Sequence, residues 1–162
     1  MSSPLATYLH DHLAGSKFAV DLLESLKKQH DGEPLGGLAA GLLIEIEQDR
    51  DVLKGLIESV GEGSFDLKEA AGWIAEKVSR LKLQRDSEEG LGTFEALEML
   101  TAGVFGKACL WNALQVVSEF DPRVAGPNFE ELAKRADGQR GRLEKFRLEV
   151  ARRAFRVPTP TA

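Results

Sequence analysis

Apolar residues in this chain recur three and four positions apart along most of its length, and no proline interrupts them between Pro34 and Pro122. That spacing lines side chains along one stripe of an α-helix, whereas a half-buried strand needs alternation at two. The six prolines, Pro4, Pro34, Pro122, Pro127, Pro158 and Pro160, fall where other signals start or end a helix, the places that tolerate a residue without an N–H. No Asn-Gly or Asp-Gly turn separates alternating runs. The fold class is therefore all-α.

Four long helices are expected. The first opens at Ser3 and Pro4 and turns Leu5, Tyr8, Leu9, His12, Leu13, Ala19, Leu22, Leu23 and Leu26 inward, closing at Gln29 to Gly32. The second runs from Pro34 to Val60 with a seam of Leu35, Leu38, Leu42, Ile46, Asp49, Leu53, Leu56 and Val60, ended by Gly61-Glu62-Gly63. Asp49 is the one charged residue in that seam. A shorter amphipathic helix is expected over 66–81, carrying Trp73, before a polar irregular stretch to Gly92. The third long helix is predicted from a Thr93 cap to Phe120, with Leu97, Leu100, Val104, Trp111 and Leu114 inward. The fourth starts at an Asn128 cap with Glu130 and Glu131 in its first turn and continues to Arg156. Residues 1–157 are expected to form one domain, and 158–162 a disordered tail.

The short links make antiparallel hairpins of the first and last helix pairs, whereas the link from Gly61 to Gly92 is long enough to run back along the bundle. The second and third long helices are then parallel. This layout resembles the ferritin-like superfamily, a four-helix bundle with one long crossover, here with an additional short helix in it; a plain five-helix up-down bundle is the alternative. The resemblance implies two inward carboxylates and two Glu-x-x-His motifs holding a pair of metal ions. The chain departs from that pattern. Its three histidines are His10, His12 and His30, and in Glu47-Gln48-Asp49-Arg50 and Asp137-Gly138-Gln139-Arg140 an arginine takes the histidine's place. A guanidinium stays protonated and offers no lone pair, so no metal site and no cofactor are expected.

Charge still gathers at mid-bundle. Hairpin geometry sets Lys107 level with Arg140, and Asp49, with Glu45 one turn before it and His12 on the first helix, lies at a similar depth. A polar layer of His12, Glu45, Asp49, Lys107 and Arg140 is therefore expected where a metal centre would otherwise sit, as a ligand-binding site. The alternative is that Lys107 and Arg140 reach the surface with only their stems buried. Gly103, Gly106, Gly138 and Gly141 fall at the same level and are read as allowing close helix contact, the alternative being a gap used by a ligand or a local helix distortion. Cys109 lies in an apolar stretch and is read as a packed thiol.

Composition narrows the function class. The net charge is −5 and hydrophobic residues make up 43%. From Lys134 to Arg156 nine Lys or Arg face three Asp or Glu, a basic last helix on an acidic body. Helix neighbours such as Glu144 and Arg147 can absorb this charge, and there is no aromatic platform for bases, so nucleic acid is not an expected partner. With one cysteine, no leader-like N-terminus and no long apolar run, a soluble cytoplasmic protein is expected, without membrane contact. The reading is a metal-free bundle, a homodimer, acting as an interaction or small-ligand-binding module, with no residue assigned to catalysis. The alternative is an atypical carboxylate-rich metal-binding or oxidoreductase bundle using Glu45, Glu47, Asp49 and His12.

Overall fold

Residues 3–61 and 90–157 are described by the structure, a computed structural model. Ser3 caps α1 (Pro4–Gln29), its side chain accepting from the Ala6 N–H at 3.2 Å, while Pro4 sits where a missing N–H costs nothing. α2 (Pro34–Val60) also opens on a proline and stops at Gly61, whose φ of 70° is a conformation that side chains disfavour. α3 (Leu91–Val117) leads through a 3-10 turn (Pro122–Val124) into α4 (Phe129–Ala154). Asn128 caps α4 by accepting from the Glu131 N–H at 3.1 Å, with Glu130 and Glu131 placed against the positive end of the helix dipole. Among the described residues there are four α-helices and no strand.

Two expected ends move. Gly90, not Thr93, precedes the first turn of α3, and Thr93 is buried within that turn, its Oγ1 lying 3.3 Å from His30 Nε2. α3 ends at Val117 rather than Phe120 because the Phe120 and Asp121 N–H groups both turn back to the Val117 carbonyl. The expected helix over 66–81, with Trp73, and the tail 158–162 lie outside the described residues. The choice between a crossover helix and a fifth bundle member therefore rests on residues that are not described.

The His30–Thr93 contact joins the end of α1 to the start of α3, so these helices are antiparallel. Because only residues 30–33 link α1 to α2, the start of α2 lies at that same end, and α2 runs parallel to α3. α1 packs on α2 and α3 on α4, while α1 also faces α3 and α2 faces α4. Every neighbouring pair is thus antiparallel, and the parallel pair α2 and α3 stands on a diagonal.

All four helices contribute to one core. Leu9, Leu22, Leu23 and Leu26 of α1 meet Leu42, Leu53 and Leu56 of α2, Leu97, Leu100 and Leu114 of α3, and Leu143 of α4. Each such buried leucine contributes about 2 kcal/mol of burial free energy. The hairpin link needs a close approach: a Cβ on Gly36 would fall on the His30 carbonyl, which also accepts from the Glu33 N–H at 3.0 Å. No helix among the described residues is long and apolar enough to cross a membrane.

Candidate functional site

The interruption of this core lies midway along the bundle. Asp49, 2% exposed, occupies a seam position of α2 at which its neighbours Ile46 and Leu53 are apolar. Its carboxylate is not left unpaired. Lys107 Nζ of α3 donates to Oδ2, and Arg135 Nη2 of α4 donates to Oδ1. Gln139, fully buried on α4, knits the group together: its Oε1 accepts from Lys107, and its Nε2 lies 3.0 Å from Glu45 Oε2 and 3.4 Å from Asp49 Oδ2. Arg142 closes the chain of contacts by donating to Glu45 Oε2 at 2.6 Å. A buried carboxylate with three donors is compatible with a low-dielectric interior, whereas an isolated one is not.

Charge and burial act on these groups in opposite senses. The Arg142 hydrogen bond holds the Glu45 carboxyl below its ordinary pKa, while burial pulls the Lys107 ammonium below its own against the opposing pull of Asp49. Lys107, Arg135 and Arg142 set three cations against the two carboxylates of Asp49 and Glu45. The cluster carries one surplus positive charge.

Beside it lies a cavity of about 490 Å³ between α1, α2 and α3. Tyr8, His12 and Phe18 of α1, Ile46 and Leu53 of α2, and Val104, Leu110 and Trp111 of α3 give it a largely apolar wall. Asp49 and Lys107 line it as well, so the ion cluster and the cavity share an edge. Arg50 adds a second cation, with Nε donating to Ser16 Oγ at 2.9 Å and Nη1 to the Glu47 carboxylate at 2.9 and 3.0 Å. His12 stacks edge-on against Tyr8 with ring centroids 4.7 Å apart, and burial lowers its pKa. Trp111, stacked on Phe129 at 6.2 Å, has an indole N–H that is buried and without an acceptor among the described residues.

Three glycines border this space. A Cβ on Gly15, Gly103 or Gly106, all three lining the cavity, would meet nothing within 4 Å. The close-contact reading of Gly103, Gly106, Gly138 and Gly141 is therefore overturned, leaving the alternative of a gap: a Cβ on any of the four would meet nothing within 4 Å, and the close approach occurs at Gly36 instead.

Of the five residues expected to form a polar layer, Glu45, Asp49 and Lys107 meet through Gln139. His12 reaches the same cavity from the opposite wall without a hydrogen bond to the cluster among the described residues. Arg140 does not take part. It is exposed, bonds Asp137 at 3.4 Å and lies over the Phe105 ring. The level was right and the face was wrong, because one residue along a helix turns a side chain by about 100°. Gln139 was legible in the sequence, as it stands three after buried Ala136 and four before buried Leu143, the position an inward stripe requires. Arg135, one turn earlier, gave no such signal.

One further expectation changes. Cys109 of α3 is exposed, not a packed thiol. In the basic last helix, Arg147 pairs with its neighbour Glu144, the kind of pairing the sequence allows, and with Glu98, while Arg135, Arg142 and Arg140 pair with Asp49, Glu45 and Asp137. Among the described residues, no group of three or more His, Cys, Asp or Glu is arranged to hold a metal ion. Comparison with family models, with curated proteins and with solved structures yields no match to this chain.

Proposed function

We propose that this chain is a small-ligand-binding module built on a ferritin-like bundle, with an ion cluster standing where that superfamily carries its metals. The helix directions, the long link between α2 and α3, and the mid-bundle position of Asp49 support the ferritin-like part of the reading. The observation that carries the binding part is the cavity of about 490 Å³, a size common to small-molecule sites, with an apolar wall and a few converging polar groups. It is kept open by Gly15, Gly103 and Gly106, each of which costs a helix interior up to about 1 kcal/mol relative to alanine. A helix that carries such residues without close packing in return gives up stability for space.

A neutral aromatic probe, 2-naphthamide, tests this reading by isothermal titration calorimetry. One saturable site is expected, lost in Gly106→Leu, whose side chain occupies the cavity, and kept in Gly138→Leu, which lies on exposed α4 surface. Absence of saturable binding, or equal binding by both variants, would overturn it. The homodimer and the cytoplasmic setting belong to the same proposal, and sedimentation equilibrium of the purified chain tests the first.

A further inference from the structure

Hydrogen-bonding capacity around the cavity is unevenly distributed. The Asp49 carboxylate is already engaged at both oxygens, by Arg135 at Oδ1 and by Lys107 and Gln139 at Oδ2. The donors are not all engaged. An ammonium has three N–H bonds, and Lys107 uses two, on Asp49 and Gln139. The Nη2 group of Arg50 has no acceptor among the described residues, and neither has the indole N–H of Trp111. All three residues line the cavity. The unused groups on the buried side of the cavity are donors, while Asp11, the other carboxylate lining it, is exposed.

Charge points the same way. The cluster holds three cations and two carboxylates, of which Lys107 and Asp49 line the cavity, and Lys107, with a side chain only 14% exposed, is the most buried of its cations. A negative ligand group beside it would balance the cluster in a low-dielectric setting, where such pairing is stronger than at a surface. The rest of the wall is apolar and aromatic, with Tyr8, His12, Phe18 and Trp111 offering ring faces and edges to a flat body.

We infer that the cavity takes an aromatic monocarboxylate, its ring between α1 and α3 and its carboxylate at the unused N–H of Lys107, with Arg50 and Trp111 as additional donors. This rests on the ligand-binding reading above and specifies the ligand's chemistry.

The test compares two probes of nearly equal shape, 2-naphthoate and 2-naphthamide, by calorimetry on the full chain at pH 7. The carboxylate is expected to bind about tenfold more tightly or better, because it brings an opposite charge to the hydrogen bond that the amide carbonyl also accepts from the ammonium. Lys107→Met should remove that preference, weakening the carboxylate by about tenfold or more and the amide by less, and the comparison on the unaltered protein stands even where the variant fails to fold. Equal affinity for the two probes would overturn the anion inference and leave the cavity reading intact. A preference that survives in folded Lys107→Met would overturn the assignment to Lys107. Failure of both probes to bind would overturn both readings.

Discussion

Lys107 and Asp49, 58 residues apart in sequence, form an ion pair across the diagonal of the bundle, between two parallel helices that are not packing neighbours. The long lysine stem spans the centre, and its charged end meets a carboxylate that would otherwise be stranded in a leucine seam. Gln139 and Arg135 then draw α4 into the same contact. Three helices are fixed in register by one buried carboxylate.

Removing that carboxylate should therefore cost more than the bond it makes. Asp49→Leu leaves the Lys107 ammonium in the interior without its counter-charge and is expected to destabilise the fold by about 3 kcal/mol. The double variant Asp49→Leu with Lys107→Met should be less destabilised than Asp49→Leu alone by about 1 kcal/mol or more, since apolar side chains then fill the site. Urea denaturation followed by circular dichroism measures both, and an additive double variant would argue against coupling.

The glycines divide into two groups with opposite expected outcomes. Gly138→Ala and Gly141→Ala add a Cβ into open space on a helix and should each stabilise by about 0.5 to 1 kcal/mol. Thermal melts of the two variants, with 2-naphthamide binding as a control that should not move, check this.

Gly36→Ala should do the reverse. Its Cβ would fall on the backbone carbonyl of His30, which cannot swing aside as a side-chain end could, so the α1–α2 link must shift. A loss of about 1 to 3 kcal/mol is expected, as for other overpacked sites. A melt at or above the wild-type temperature would contradict this placement of the link.

Acid should weaken the fold in two stages. Burial holds the His12 pKa below 6.5, so as pH falls past 6.5 the unfolded chain takes up the proton first and stability is lost down to the lower folded value. Glu45, held below 4.5 chiefly by its hydrogen bond from Arg142, adds a loss beginning under that pH and continuing through its own folded pKa. Urea midpoints between pH 7.5 and 5 should fall less in His12→Gln than in the wild type. Identical slopes would show that His12 is not the group responsible.

Sequence periodicity alone determined the four helices and most of their buried stripes, because a helix's hydrogen bonds and its three-and-four spacing are local properties. Ser3, Pro4, Pro34 and Asn128 mark helix starts where the structure has them, for the same reason. The charged level at mid-bundle was legible too, since Asp49 breaks an otherwise apolar seam and hairpin arithmetic brings Lys107 to the level of Gln139 and Arg140. Tertiary structure decided which neighbour on that level faces inward. It placed Gln139 in the cluster and Arg140 over Phe105 outside it, a choice set by the rotation of α4 about its own axis. It also decided what the glycines do. A missing side chain reads identically in sequence whether a helix closes against it or a cavity remains, and only the distance between α1 and α3 separates the two at Gly15, Gly103 and Gly106.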